Sequence, residues 1–279
     1  IREIDSYGWG QPDIFQAVIS ESDIWIADRA LGIIHGKNMA DFARLPVSGP
    51  ALNKVAMIAS EGGKTIICPG GISGSSAGLK IPFMVSVYDG QKFEIISSDF
   101  HADAMRAVSD PSDPSVLFIS SWGGGLFRYK NNRADKIYDS SNSPLQKSGT
   151  TGETRVLGLA FDRSGNLWMT QPDVREKIKI LKSGGNWISY PRIIDSPLAG
   201  DMISTSKGQI WIILPGGYGL FIIDDNGTPD IYTDDLTRRL TIIDSDNRIF
   251  GSAFALAEDL DGNIWVGTDQ GPVIYHNPE

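Results

Sequence analysis

The chain has 279 residues, with 25 Lys and Arg against 34 Asp and Glu, three His and a formal net charge of −9. That balance argues against nucleic acid, which needs a basic face to displace counterions, and against adhesion to anionic membranes. The single cysteine, Cys68, excludes an intrachain disulfide and a thiolate metal site, and it is expected to be a small buried hydrophobe.

Gly is abundant at 31 residues, as a chain with many turns requires. No apolar run approaches the roughly 18 residues of a membrane helix, so no transmembrane segment is expected. The sequence starts at Ile1 without an initiator Met or a signal peptide. It is therefore expected to be processed or cut from a longer protein, and the missing signal says nothing about compartment.

One short unit recurs along the chain: a polar turn followed by an apolar strand with a bulky centre. Asp23-Ile24-Trp25-Ile26 opens the series and Asp162-Arg163-Ser164-Gly165-Asn166-Leu167-Trp168 is the fourth case. Ser206-Lys207-Gly208-Gln209-Ile210-Trp211 and Asp261-Gly262-Asn263-Ile264-Trp265 follow it. Aligned on Trp25, Ile67, Phe118, Trp168, Trp211 and Trp265, the units step by 42 to 54 residues. That is slightly above the roughly 40–45 of a four-stranded propeller blade. The fourth unit shows the set of strands: 156–161, 167–170, 178–181 and 187–190. The expected fold is all-β, a single β-propeller domain over 1–279 with six recognisable four-stranded blades, six- or seven-bladed when intact.

Small or aliphatic residues fill the first strand of each unit, as at 55–58, 105–108, 158–160 and 254–257, which suits the innermost strand where sheets converge. Trp25, Trp168, Trp211 and Trp265 are expected in the core between blades. Outermost strands are expected at 136–138 and 230–232, with at most a turn of helix at 235–240. The scrap Ile1 to Ile4 is expected to pair with 273–275 and close the ring. The long loops 69–82, 139–153 and 234–248 all fall on one rim, because the loop after strand two and the link to the next blade share a face. That rim is where function is expected.

The chemical motifs are weak. Gly63-Lys64-Thr65 lacks the first Gly of a phosphate loop and opens a strand, so it is a turn. Asp259, Asp261 and Asn263 begin like a calcium loop, but Ile264 and Gln270 stand where Gly and Glu are needed. His35, His101 and His276 form no triad with a nucleophile. No catalytic residue, metal or cofactor is expected. Trp122, beside Gly123-Gly124-Gly125, places a ring on the rim, and Tyr218 does so in the equivalent loop of the fifth unit. With Arg29, Gln171, Asp173 and Gln270, these are the candidate ligand-binding residues, suited to flat sugar faces or peptide side chains.

Gly-Asn-Ile-Trp-Val-Gly-Thr-Asp-Gln-Gly at 262–271 resembles the two-component regulator propeller repeat of the Bacteroidetes. More specific is the order of Asp23 to Arg29, Gly32-Ile33-Ile34, Pro46-Val47-Ser48-Gly49-Pro50, Pro69-Gly70-Gly71 and Ile274-Tyr275-His276-Asn277-Pro278. In that order the chain looks like the propeller portion of the PorZ-like proteins of type IX secretion. The resemblance implies an exported protein, periplasmic or on the cell surface, with a further propeller and a sandwich-like C-terminal domain. It implies a role in attaching cargo to anionic lipopolysaccharide, with glycan recognition, and no catalytic residues. The wider family implies instead a periplasmic sensor of a hybrid two-component system that detects oligosaccharides. A propeller lyase or glycosidase is the alternative of another class, since fold alone does not settle function.

Overall fold

The computed structural model describes residues 4–38, 40–45, 49–73, 77–131, 133–149, 151–243, 246, 251–276 and 278. Among them there is no helix, and 23 strands form six antiparallel sheets. The chain falls into two compact units, Ile1–Gly49 and Pro50–Glu279.

The first unit holds one sheet of β1 (Ile14–Ser20), β2 (Asp23–Asp28), β3 (Gly32–Lys37) and β4 (Ala40–Arg44), paired in that order. Alternation along β2 buries Ile24 and Ile26 against Tyr7 and Ile34. The Asp28 carboxylate accepts from the Tyr7 hydroxyl and from the N–H groups of Asp13, Ala30 and Leu31. One buried carboxylate thus ties the entry segment to the β2–β3 turn.

The second unit carries five sheets. The first is β5 (Met57–Glu61), β6 (Lys64–Cys68), β7 (Pro82–Tyr88) and β8 (Phe93–Ala102). Next comes β9 (Ala104–Asp110), β10 (Asp113–Ser121), β11 (Gly125–Lys130) and β12 (Arg133–Tyr138). The third is β13 (Leu159–Phe161), β14 (Leu167–Thr170), β15 (Ile178–Leu181) and β16 (Trp187–Ser189). The fourth is β17 (Met202–Ser204), β18 (Ile210–Leu214), β19 (Gly219–Asp224) and β20 (Leu236–Leu240). Three strands, β21 (Ala253–Glu258), β22 (Ile264–Thr268) and β23 (Gly271–Tyr275), make the last.

Each sheet is a meander, and the first strands β5, β9, β13, β17 and β21 contact one another in series. This is the blade arrangement of a β-propeller, with small-residue strands innermost as expected.

Each core layer lies between neighbouring sheets. In β10, Leu117 and Ile119 face Phe83 and Val85 of the preceding sheet. Val116 and Phe118 face Leu159, Leu167 and Met169 of the next. In β14, Trp168 turns forward onto Met202, Ile210 and Ile212. In β18, Trp211 turns forward onto Ile264 and Val266. A strand buried on both faces reads as a continuous apolar run, which is why the anchors were legible.

The same geometry corrects the expectation that all four anchor Trp are core. Trp168 and Trp211 are fully buried, but Trp25 is 43% and Trp265 40% exposed. Each anchor is covered by the following sheet, and neither β2 nor β22 has a following sheet within its unit. A second correction concerns 230–240. Residues 230–232 are not the outer strand of their sheet, and 235–240 is not a helical turn. β20 pairs there with β19 from Leu220↔Leu240 to Asp224↔Leu236, and it takes up part of the long link expected at 234–248. The proposed pairing of Ile1 to Ile4 with 273–275 rests on residues 1–3, outside the described residues.

The recurring turn has a physical cause. The Asp162 carboxylate accepts from the N–H groups of Ser164 and Asn166, from the Asn166 amide and from the Trp168 indole. Asp259 does the same for Asp261, Asn263 and Trp265. In the sheet of β17–β20, Thr205 Oγ1 accepts from Gln209 N–H, and Gln209 takes the indole of Trp211. At Asp162 and Asp259 one carboxylate thus fixes both the turn and the anchor ring, and in the β17–β20 sheet Thr205 and Gln209 divide the two tasks.

Donation from the Trp265 indole, then from Asn263, holds the Asp259 carboxyl at about 2 against an ordinary 3.8. A depressed native value stabilises the fold above the unfolded pKa and loses that contribution as pH falls through the native one. Asp259→Ala should therefore lower the urea midpoint at pH 7, and its gap from the parent should close between pH 4 and about 2. A gap that does not narrow at all from pH 4 to about 2 would show that the charge is not what matters.

Candidate functional site

In the second unit, the loops after each second strand and the links between sheets gather on one rim. Three cavities open there. One of about 570 Å³ is lined by Val55, Ile72, Leu79, Met105, Leu157 and Phe254 among others, with Arg106 and Asp201 as its charged pair. Arg106 Nε lies 2.8 Å from Asp201 Oδ2, and its Nη1 donates to the Met105 carbonyl at 2.8 Å. Arg106 opens toward the cavity from the inner strand β9, the one place where a guanidinium interrupts that strand's apolar run.

A second cavity of about 460 Å³ is lined by Lys80, His101, Asp103, Trp122, Glu153 and Arg155. The Asp103 carboxylate accepts from the N–H groups of Lys80 and Ile81, which pins the end of the 69–81 loop. Burial pulls the His101 pKa below its ordinary value, so the ring is neutral near pH 7. Arg155 is itself buried, reaches Glu153 at 3.3 Å and stacks 5.0 Å above the Trp122 ring. A third cavity of about 600 Å³ carries Gln146, Lys147, Asp173, Arg175 and Lys177. Burial lowers the pKa of Lys177, whose ammonium donates to the Val174 carbonyl. Asp173 joins the two charged cavities, since its Oδ2 is 3.8 Å from Arg155 Nη1 and accepts from Ser148.

The candidate residues distribute unevenly over this surface. Trp122 is 2% exposed, packed with Met105 and Leu157 beneath Arg155, so its ring is not the open plane expected beside three glycines. Gln171 is buried too, and its amide spans Gln146 and the Arg155 carbonyl, holding the 139–158 link to the next loop. Asp173 stands at a cavity edge with φ of +59°. Tyr218 keeps 39% of its surface exposed, with Arg239 stacked 5.5 Å from its ring. Gln270 is exposed in the β22–β23 turn. Arg29 belongs to the first unit, where it pairs with Asp13 and lies over Phe15.

Sequence reasoning missed Arg106, Asp201, Arg155 and Lys177. Only Arg106 carried a signal, a lone charge in an inner strand. Of the three histidines only His101 lines one of these cavities. His35 lies in the first unit on Asp23, and His276 follows β23. Cys68 is fully buried and its thiol is pushed up to about 12, which leaves it inert. Gly62 and Gly63 take φ of +56° and +74° in the hairpin before Lys64, as a turn demands.

No protein-family model matches the chain, and no curated protein does. Solved structures do. PorZ, an essential bacterial surface component of the type IX secretion system of Porphyromonas gingivalis, is 25% identical with a TM-score of 0.73. The match covers 95% of this chain and 39% of PorZ. An extracellular domain assigned to a hybrid two-component system of B. thetaiotaomicron is 19% identical, TM-score 0.58, over 96% of this chain and 33% of that one. Virginiamycin B lyase from Staphylococcus aureus is 12% identical, TM-score 0.54, over 93% and 83%. The chain thus spans about two fifths of PorZ and a third of the B. thetaiotaomicron extracellular domain. Over nearly its whole length it is similar to a portion of PorZ, and it shares the propeller fold of the Bacteroidetes two-component regulators.

Proposed function

We propose that this chain is a non-enzymatic binding or scaffolding propeller domain of a longer exported protein. In this reading it is a PorZ-like component of type IX secretion, acting in the periplasm or at the cell surface. Its loop rim takes a glycan or anionic lipopolysaccharide. The similarity to PorZ over 95% of the chain carries the reading. The rim supports it with three cavities that carry charged side chains and, outside their linings, an exposed ring at Tyr218.

Calorimetry against a panel of neutral oligosaccharides and anionic lipopolysaccharides tests it. Saturable binding is expected, weakened about ten-fold or more by Tyr218→Ala or Asp173→Ala. Absence of binding across the panel would leave only the scaffold, and secretion unimpaired by deletion of the gene would remove that as well.

The likeness to the B. thetaiotaomicron domain favours a second reading, the periplasmic sensor of a hybrid two-component system for oligosaccharides. It requires a kinase and a transmembrane helix in the same gene. The lyase fold, together with His101, Asp103 and Glu153 around one cavity, supplies the residues a third, enzymatic reading would use. Turnover of a glycan or of virginiamycin B that is lost in His101→Ala would overturn the non-enzymatic proposal.

A further inference from the structure

Two of the rim cavities share one wall. The link between β12 and β13 folds back on itself there, with Lys147 bridged to Thr154 and the Ser148 N–H donating to the Glu153 carbonyl at 2.8 Å. Gln146 and Lys147 on its outgoing limb line the cavity of about 600 Å³. Glu153 and Arg155 on its returning limb line the one of about 460 Å³. Asp173, from the β14–β15 loop, closes the seam: it accepts from Ser148 at 2.6 Å and stands 3.8 Å from Arg155. One narrow loop thus separates two pockets, each within the roughly 300–1,000 Å³ of a small-ligand site.

The pockets differ in charge. The smaller carries two cations, Lys80 and Arg155, and two carboxylates, Asp103 and Glu153. Its carboxylates are already met, Asp103 by the N–H groups of Lys80 and Ile81, Glu153 by Arg155 and the Thr151 hydroxyl. The larger carries three cations, Lys147, Arg175 and Lys177, against Asp173 alone. Among the described residues none of these three forms an ion pair with a carboxylate. Burial lowers the Lys177 pKa although Asp173 and Asp195 act the other way. Cations that reach inward elsewhere in this unit are matched, Arg106 by Asp201 and Lys179 by Glu176. In a chain of net charge −9, three unmatched cations around one hollow repel one another until an anion joins them.

The smaller pocket indicates what carries that anion. Its lining holds His101, carboxylates and cations but no Val, Leu, Ile or Met, so it offers no aliphatic wall to a peptide side chain. Donors and acceptors in balance suit hydroxyl groups, which both give and take hydrogen bonds. Two glycines keep its polar groups clear. A Cβ at Gly78 would lie 2.5 Å from Asp103 Oδ2, and one at Gly124 would lie 2.9 Å from His101 Nδ1.

We propose that the rim ligand is an acidic oligosaccharide held in two parts. Its phosphate, sulfate or carboxylate group lies among Lys147, Arg175 and Lys177, and the neutral sugar next to that group lies beside His101, Asp103 and Glu153. This rests on the glycan reading above and narrows it to a glycan with a charged group adjoining a neutral ring. Asp173 and Arg155 stand between the two parts and keep the wall that spaces them.

The test is calorimetry of the intact chain with matched pairs. Phosphorylated, sulfated and uronate oligosaccharides are each measured beside the same sugar after dephosphorylation, desulfation or carboxyl reduction. In one of the three arms the acidic member should bind at least about ten-fold tighter, and that arm names the group. Lys147→Gln combined with Arg175→Gln should bring the ratio within about two-fold. Both residues are exposed, so the double variant should keep the parent's thermal midpoint within about 2 °C. His101→Ala should weaken both members of a pair and preserve their ratio. Equal binding of acidic and neutral members would overturn the two-part site and leave glycan recognition standing. A preference that survives the double variant would overturn it too. Binding of no oligosaccharide at all would remove the glycan reading and this one together, and saturable binding of a phosphopeptide in that case would give the cations to a protein partner.

Discussion

Trp168→Ala should lower the free energy of unfolding by about 3–5 kcal/mol, the range for removing a fully buried aromatic side chain. Trp265→Ala should cost roughly 1–2 kcal/mol, since much of its transfer term is already forgone. The two residues stand in nearly the same words, Gly165-Asn166-Leu167-Trp168 and Gly262-Asn263-Ile264-Trp265, and each indole donates to the Asp that shapes its turn. What separates them is cover. Trp168 is 0% exposed, sealed by β17 and β18 and 5.4 Å from the Tyr190 ring, while Trp265 is 40% exposed. Urea unfolding of both variants, followed by circular dichroism, measures the difference. Equal losses would mean that the turn's hydrogen bond, which the two share, outweighs burial.

That pair also marks how far the sequence could be read. The existence and order of most strands were legible, because a strand buried on both faces must be apolar throughout and a tight turn must be Gly, Asn or Asp. The fourth blade shows it: 167–170 and 178–181 coincide with β14 and β15. The cover over an anchor was not legible, since it depends on the next sheet and not on the residue. β20 was misread for a related reason. Leu236 and Leu240 stand four apart with polar residues between, a helical spacing, but pairing with β19 decides the backbone there, and β20 keeps an exposed outer face.

The rim was legible as topology and poorly legible as chemistry. That long loops share one face follows from the meander alone. Which side chains meet there does not, because the partners come from different blades. Arg106 meets Asp201 two sheets away. Arg155 covers Trp122 from the link that follows, which turns a ring expected to be open into a buried one. Tyr218 and Gln270 are exposed on their loops, while Asp173 is half-buried, held by Ser148 and near Arg155 of the preceding link.

Gly219→Ala should destabilise the fold by about 2–5 kcal/mol, and Gly125→Ala should do the same. Both residues open the third strand of a sheet directly after a rim loop, with φ of +83° and +84°. A Cβ at Gly219 would lie 2.0 Å from the Leu240 carbonyl oxygen, and one at Gly125 would lie 2.2 Å from that of Tyr138. Those carbonyls end the fourth strands, so relief requires the outer strand to move. Left-handed strain accounts for about 1–2 kcal/mol, and the overpacking against backbone adds about 1–3 more. Gly185→Ala separates the two contributions. It has φ of +84° with nothing within 4 Å of a Cβ, and it should lose the strain alone, about 1–2 kcal/mol. If Gly219→Ala and Gly185→Ala fall by the same amount, the fourth strand is free to shift and the close approach is not what holds it. If Gly219→Ala loses more, the Tyr218 loop and the outer edge of its sheet are locked at one point. A ligand that orders the rim should then stabilise β20, seen as slower amide exchange across Leu236–Leu240.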